Sequence, residues 1–168
     1  MSIKLEEVIT PGQPKAFTVG QRTEIAAVGN LDPVYGSLFE NPVTASVATS
    51  SPDGAPQVTP GWCEHDGTYV FLNSVRGRLK DRNLRARPDV TIMLVNPQNP
   101  YHWMTIYGQV VEIIDEDDPK QGHQATESID RLAKKYLNTT PYPLREEGGE
   151  IRVLYKVRPI RIQTFGKP

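Results

Sequence analysis

Hydrophobic and polar residues alternate with a period of two in several short segments of this chain, which is the pattern of half-buried β-strands. In residues 43–49, every second residue is apolar or β-branched, and the residues between them are small or polar. A turn at residues 51–54 follows, and residues 57–64 then resume an extended pattern. Because a short turn between two such runs brings them side by side, the pattern predicts a β-hairpin.

Four further segments have the composition of strands. Their residues are 68–73, 89–96, 101–115 and the run that begins at 151. The third carries apolar residues on both faces, so we expect it to lie centrally in a sheet. In the last, the apolar phase shifts beyond Pro159, which predicts a bulge at the proline. Six short strands joined by tight turns predict a mainly β, α+β protein with a closed or half-closed antiparallel barrel.

Three segments have helical patterns. Asp32 before Pro33 is typical of a helix start, and it predicts a short helix over residues 31–39. A short basic helix is predicted within residues 74–88. Asp118 and Pro119 offer an N-cap and a first-turn proline for a third helix, whose apolar stripe has spacings of three and four residues. That stripe consists of Ile129, Leu132, Ala133, Tyr136 and Leu137.

The remaining segments show no sustained period. We predict an N-terminal arm at residues 1–30, partly helical at 23–28, ahead of one barrel domain at residues 31–168, with a loop at 139–149. No apolar run approaches the roughly 20 residues of a bilayer span, and the first residues lack the basic and apolar regions of a secretory signal. The sequence therefore predicts no membrane partner and a cytoplasmic location.

Composition narrows the possible chemistry. Nineteen basic and twenty acidic residues give a net charge of -1, which argues against nucleic acid as a partner. A single cysteine, Cys63, and three histidines offer no metal-ligand spacing, so no metal site is predicted. Glycine-rich dinucleotide motifs, a P-loop and a nucleophile-elbow serine are also missing from the sequence.

The most informative segment is 75–88, where six basic residues face one acid, Asp81. The six are Arg76, Arg78, Lys80, Arg82, Arg85 and Arg87. Arginine side chains match phosphate oxygens, and a helix start adds unpaired N–H groups, so the segment predicts an anion site. The alternative interpretation is a solvated helix face.

A second informative feature is the interruption of a predicted strand by Pro60 and Gly61. Proline removes a hydrogen-bond donor from a sheet, so this strand either bulges or borders a cavity against which a flat ring could lie. The alternative is a kinked edge strand. Four aromatic residues could form a wall for such a ring or belong to the core, namely Trp62, Tyr101, Trp103 and Tyr107.

In this order, the two features resemble the pyridoxamine-phosphate-oxidase-like split-barrel proteins. The resemblance covers about residues 40–163, and its most specific parts are Asp-Gly-x-Pro-Gln-x-x-Pro-x-Trp from Asp53 and Gly-Arg-x-Lys-x-x-Asn-Leu from Gly77. Within these proteins, the chain is most similar to the flavin and deazaflavin oxidoreductases that use coenzyme F-420. The resemblance implies a six-stranded antiparallel split β-barrel of the FMN-binding type with a few flanking helices.

The resemblance also implies a cofactor site. Its residues would be Gln57, Val58, Thr59 and Pro60 along the ring, Asn73 and Ser74 at the ribityl chain, Arg78 and Lys80 at the phosphate, and Asn83, which would orient that segment. In such proteins the cofactor lies at the interface of a homodimer, so Trp103 of a neighbouring subunit would close the site.

The function implied is hydride transfer between reduced coenzyme F-420 and a small unsaturated or quinone-like substrate. Coenzyme F-420 carries a phosphodiester and a polyglutamate tail, which suit the surplus of arginines in residues 75–88 better than FMN does. The alternatives are FMN-dependent oxidase or reductase activity of the pyridoxamine-phosphate-oxidase type and a non-catalytic role in binding a flavin or deazaflavin. Haem-handling split barrels also exist, but the sequence does not specify an axial ligand. Tyr101, His102 and solvent are the candidate proton donors.

Overall fold

The computed structural model describes residues 2–9, 18–145 and 149–167. The described strands are β1 (Ile3–Ile9), β2 (Thr18–Ile25), β3 (Ala45–Ser50), β4 (Pro56–Gly61), β5 (Cys63–His65), β6 (Val70–Val75), β7 (Asp89–Val95), β8 (Trp103–Asp115) and β9 (Arg152–Phe165). The described helices are α1 (Pro33–Glu40), α2 (Leu79–Ala86) and α3 (His123–Leu137), and a 3-10 turn lies at Val28–Asn30. Outside the described residues lie residues 1 and 10–17 of the predicted arm, residues 146–148 of the predicted loop, and residue 168.

The strands form one curved, mainly antiparallel sheet in the order β2-β1-β9-β8-β7-β3-β4. Strand β6 pairs with the same edge of β9 as β1, opposite β8, and β5 lies beside β6. Strand β9 is bent, so that its first half pairs with β6 and its second half with β1. Tyr107 pairs with Arg161 and Gly108 with Pro159, which leaves Ile160 without a partner in β8. The bulge predicted at Pro159 is therefore confirmed, and it lets one strand serve two sides of the barrel.

Apolar side chains from alternate positions fill the barrel. The most buried include Val47, Ile92, Leu94, Met104, Ile106, Tyr155 and Ile162. Each such side chain stabilises the fold by about 1.5–3 kcal/mol by leaving water. Strand β8 lies between β7 and β9, so its predicted central position is confirmed.

The predicted mainly β class is confirmed, but the described residues contain nine strands where six were expected. The predicted strand at 57–64 divides at Trp62, because β4 pairs with β3 whereas β5 pairs with β6. The chain thus crosses the split of the barrel directly after Pro60 and Gly61. A proline cannot donate to a neighbouring strand, which explains why the sheet pairing changes there.

The other two additional strands belong to the N-terminal segment, where the helix predicted at 23–28 is wrong. Strand β2 covers residues 23–25 of that range and pairs with β1, which pairs in parallel with β9. The Glu6 carboxylate on β1 accepts hydrogen bonds from Gln163 and Arg161, and these bonds lower its pKa. Most residues of β2 are exposed on both faces, so the strand has no apolar alternation to predict it.

The helices agree with their sequence signals except at one start. Asp32 accepts a hydrogen bond from the Val34 amide at 2.9 Å and caps α1, as predicted. Helix α3 begins at His123 rather than at residue 118, because the Asp118 carboxylate accepts bonds from the Lys120 and Gln121 amides in a preceding turn. Among the described residues, no helix has both the length and the apolar character needed to cross a bilayer.

Candidate functional site

An open cavity of about 250 Å³ lies where β4 and β6 end, beside α2 and α3. Five of the predicted site residues line it, namely Pro60, Asn73, Ser74, Arg78 and Lys80. The path of the chain explains why these five residues line the same cavity. Strand β4 ends at the proline and glycine, β6 leads directly into the basic loop, and α2 starts from that loop. Two motifs that are separate in the sequence therefore face the same space.

Arg78 and Lys80 supply the unpaired positive charge of this cavity, because Arg152, which also lines it, forms an ion pair with Glu150. Arg78 is the N-cap residue of α2, and the half-buried Lys80 places its Nζ 3.6 Å from the position that a Cβ on Gly61 would occupy. In the part of the chain that the structure describes, no carboxylate pairs with either side chain. Burial lowers the pKa of Lys80, and the neighbouring Arg78 lowers it further. An anion in the cavity would stabilise the charged form of Lys80 and so oppose both the effect of burial and the repulsion by Arg78.

Other basic residues of the same segment are already paired. Arg76 contacts Asp115 at 3.2 Å and Asp117, and these partners raise its pKa. Arg85 contacts Asp81 at 2.8 Å and also Asp115. The positive charge available to a ligand is consequently smaller than the sequence suggested.

The end of β6 supplies polar groups beside these cations. Asn73 Nδ2 donates to the Ala125 carbonyl at 2.8 Å, which ties β6 to α3. Asn73 Oδ1 is buried, yet it has no hydrogen-bond partner among the described residues. Ser74, the next residue, is also buried and lines the cavity. An acceptor without a partner at this position is suited to a ligand that carries hydroxyl groups.

The opposite wall of the cavity is aromatic and apolar. Trp62 stacks on Tyr136 with ring centroids 4.9 Å apart, and Tyr142 meets Trp62 edge-on at 6.0 Å. The guanidinium of Arg152 lies over the Tyr142 ring at 4.5 Å. Trp62 is one of the four aromatic residues that were considered as a wall for a flat ring. Gly61 was predicted, with Pro60, to border a cavity. The sequence did not identify the other lining residues, which are Thr44, Ile129, Leu132, Tyr142 and Arg152. An apolar stripe such as that of α3 predicts burial, but it does not reveal which members border a cavity.

Four predicted residues lie near the cavity without lining it. Val58 is 60% exposed on β4, and Thr59 is half-buried beside it. Gln57 accepts a hydrogen bond from the Thr49 hydroxyl at 2.7 Å, and Asn83 donates to the same hydroxyl at 3.0 Å. These two bonds connect α2 to β4 through β3, so Asn83 holds the basic helix against the kinked strand.

The remaining candidates lie elsewhere on the chain. Trp103 packs against Phe165 with centroids 5.7 Å apart, and Tyr101 is 65% exposed. Tyr107 lines a second cavity, of about 390 Å³, on another face of the sheet. His102 is buried with Nδ1 3.1 Å from Asn96 Nδ2. Within its own chain, therefore, Trp103 does not reach the cavity of Arg78 and Lys80.

Cys63 and the histidines do not provide an alternative reactive centre. Burial raises the pKa of the Cys63 thiol to about 12, so the thiol stays protonated and unreactive. None of His65, His102 and His123, all of which the structure describes, lines the charged cavity.

The chain is similar to known proteins in both sequence and fold. A family model described as pyridoxamine 5'-phosphate oxidase matches residues 31–165. Among solved structures, a protein named "F420 Reductase" is 31% identical, with 79% of this chain and 98% of that chain covered and a TM-score of 0.64. A search of curated proteins finds no match.

More distant structures share the fold alone. A putative pyridoxamine 5'-phosphate oxidase from Listeria innocua is 17% identical over 76% of this chain and 92% of that chain, with a TM-score of 0.55. HutZ, the heme storage protein from Vibrio cholerae, is 16% identical over 82% of this chain and 96% of that chain, with a TM-score of 0.59.

Proposed function

We propose that this chain, which belongs to the pyridoxamine 5'-phosphate oxidase family, is an oxidoreductase that uses coenzyme F-420. Its family and split-barrel class, predicted from the two sequence motifs, are thereby confirmed. The proposed substrate is a small, electron-poor unsaturated or quinone-like molecule. The observation that carries the proposal is the pair Arg78 and Lys80, which line one cavity with Pro60 and have no carboxylate partner among the described residues.

A phosphate group fits this pair. Charge-assisted hydrogen bonds to a partly buried phosphate stabilise a complex by about 1.5–3 kcal/mol each. The first turn of α2 adds unpaired N–H groups and a partial positive charge. A bound anion would also restore the pKa of Lys80 toward its ordinary value, because it favours the ammonium form.

The rest of a phosphorylated flavin-type cofactor fits the neighbouring residues. Asn73 and Ser74 would contact the ribityl hydroxyls, and the unpartnered Asn73 Oδ1 supports that role. The ring would lie along Gln57, Val58, Thr59 and Pro60 of β4. Strand β4 is at the sheet edge, so it has backbone N–H groups that no described strand pairs. Asn83 would keep α2 in position against this strand.

Coenzyme F-420 is preferred over FMN because of the 31% identity to the "F420 Reductase". The number of arginines supports this choice less than the sequence suggested, since Arg76 and Arg85 are paired with aspartates. FMN is the alternative cofactor. For haem, no histidine ligand lies in the cavity, all three histidines being described.

When bound in its reduced form, the cofactor supplies the hydride. The protein orients the ring, and backbone N–H groups of residues 58–61, except at Pro60, stabilise the charge that develops on it. Tyr101 and His102 lie outside the cavity of their own chain, so solvent is the proton donor that the open cavity favours. Under this proposal, the chain binds and orients the cofactor.

We further propose a homodimer in which Trp103 of a second copy closes the site. The exposed apolar side chains Val58 and Ile160 support an interface on this part of the barrel. The division into an arm of residues 1–30 and a barrel domain of residues 31–168 stays a proposal, supported by a family match that begins at residue 31. Light scattering at decreasing concentration, with cofactor affinity measured in parallel, tests the dimer, because dissociation would weaken binding.

The decisive experiment is a fluorescence titration of the protein with coenzyme F-420 and with FMN. The variant Arg78→Ala/Lys80→Ala should lose binding, whereas Arg82→Ala, an exposed change on the same helix, should retain it. Reduction of a panel of quinones and enones then tests catalysis. Tight binding without turnover of any panel member would indicate a binding protein, and equal affinities for both variants would contradict the proposed site.

A further inference from the structure

Arg78 and Lys80, the two cations of the cavity that no described carboxylate pairs, must be held in place by other groups. Arg78 and Lys80 carry like charges two residues apart, and no described carboxylate pairs with them. Like charges at this spacing repel each other and disfavour a single loop geometry. The hydrogen bonds behind the loop must therefore keep both side chains turned toward the cavity.

Asp81 makes these bonds from a buried position. It is 2% exposed, and its Oδ2 accepts the Gly77 amide at 2.8 Å. Its Oδ1 accepts Arg85 Nε at 2.8 Å and the Tyr155 hydroxyl at 2.6 Å. Gly77 has a φ of 82°, a left-handed conformation that glycine adopts without strain, so the bond from Asp81 fixes the turn at that residue. One carboxylate thus joins the loop, the helix and the barrel.

Tyr155 connects this carboxylate to the centre of the molecule. It belongs to β9, is completely buried among the core side chains, and pairs with Leu72 of β6. Burial and the hydrogen bond to Asp81 raise the pKa of Tyr155, so its hydroxyl remains a donor at any ordinary pH. On the other side of the loop, Arg76 is held by Asp115 and Asp117. The residues between these two anchors have little freedom to move.

We propose that Tyr155 is a positioning residue for phosphate recognition, acting through Asp81. The Tyr155 to Asp81 hydrogen bond sets the Gly77 turn and the first turn of α2 before a ligand arrives, so that Arg78 and Lys80 already face the cavity. This inference rests on the proposed function, because it assumes that the cavity binds a phosphate. The Tyr155 to Asp81 bond should therefore affect the affinity for the phosphate group and leave recognition of the ring unchanged.

The test compares ligands with and without the phosphate. Tyr155→Phe removes one oxygen and keeps the ring that fills the core. Its affinity for FMN and for coenzyme F-420 should fall about tenfold, the change expected for a lost hydrogen bond to a charged group, while its affinity for riboflavin and for the phosphate-free deazaflavin should stay within about twofold of wild type. Tyr35→Phe is the matched control, since Tyr35 hydrogen-bonds Thr164 and does not line the cavity.

Equal losses for both kinds of ligand, or no loss for either, would overturn the inference. If Tyr155→Phe does not fold, Arg85→Gln tests the same carboxylate, with Arg82→Gln as its control on the same helix. A wild-type protein that binds phosphorylated and phosphate-free ligands equally would instead refute the proposed function. The two failures are thus distinguishable.

Discussion

Two pairs of basic residues in one short segment have opposite environments. Arg76 and Arg85 make ion pairs with Asp81, Asp115 and Asp117. Arg78 and Lys80 face an open cavity, and no described carboxylate pairs with them. In the sequence, all four look alike. In the structure, the first pair fixes the loop and the second pair is free to bind an anion.

The difference shows that partners, rather than the number of charges, identify a binding site. A cation with a carboxylate partner has its charge already compensated, so a ligand gains little from it. A partly buried cation without a partner gains most from an arriving anion. Variants that remove either the unpaired cations or a carboxylate partner of the paired ones therefore test the comparison directly.

The largest effect is expected for the unpaired cations. Arg78→Ala/Lys80→Ala should weaken binding of phosphorylated cofactor by at least about 100-fold, because two charge-assisted contacts of about 1.5–3 kcal/mol each are lost. Thermal stability should not fall, since no ion pair of the described residues is broken. Fluorescence titration and thermal unfolding measure the two effects, and a stability loss that matches the affinity loss would mean that both residues are structural.

The paired side of the comparison should respond in stability. Asp81→Ala leaves the Tyr155 hydroxyl and the Arg85 guanidinium without their buried acceptor, and we expect the free energy of unfolding to fall by about 3 kcal/mol. Chemical denaturation measures this change. Asp117→Ala, at an exposed partner of Arg76, is the control and should have a much smaller effect. Similar losses for both variants would remove the distinction between the buried carboxylate and the exposed one.

An intermediate effect is expected from pH. The pKa of Lys80 lies below its ordinary value of 10.5 in the folded protein, so folding disfavours its charged form. Lys80 thus costs stability below its folded pKa, and this cost disappears as the pH rises toward 10.5.

Phosphate binding depends on pH in the opposite way to stability, because it requires the charged ammonium form of Lys80. Affinity should therefore fall by about tenfold as the pH rises through the pKa of Lys80, and Lys80→Arg should abolish this fall, since arginine keeps its charge. Titrations from neutral to alkaline pH measure the change. An equal fall in Lys80→Arg would assign the pH dependence to another group.

The smallest effect is expected at Arg82. It lies on α2 between the paired and unpaired residues, is exposed, and does not line the cavity. Arg82→Ala should change cofactor affinity by less than about twofold and the free energy of unfolding by less than about 0.5 kcal/mol. A large loss of F-420 affinity with FMN affinity unchanged would show that the longer cofactor uses the outer face of the helix.

Local signals in the sequence predicted much of the fold. The Asp32 cap, the turn at 51–54 and the bulge at Pro159 depend on neighbouring residues, so they could be predicted from short motifs. Strand β2 could not, because it is exposed on both faces and lacks alternation. The start of α3 was misplaced because Asp118 is equally able to cap a turn.

The candidate site was predictable where its residues belong to two compact motifs. Pro60, Arg78 and Lys80 lie within them and meet at one cavity. The partners of Arg76 lie 39 and 41 positions away, and no local pattern relates them to the basic segment. Side-chain pairing across the barrel depends on the final packing, so the sequence overestimated the free charge.

The parallel pairing of β1 with β9 has a consequence for biosynthesis. Glu6 and Arg161, which join the two strands, are 155 positions apart in the chain. At a translation rate of roughly 5–20 residues per second, β1 emerges from the ribosome roughly 8–30 s before its partner does. During that interval Ile3 and Val8 lack the neighbours that bury them, and β1 is open to pairing with other nascent chains. Strand β1 is thus made well before the strand that completes its pairing.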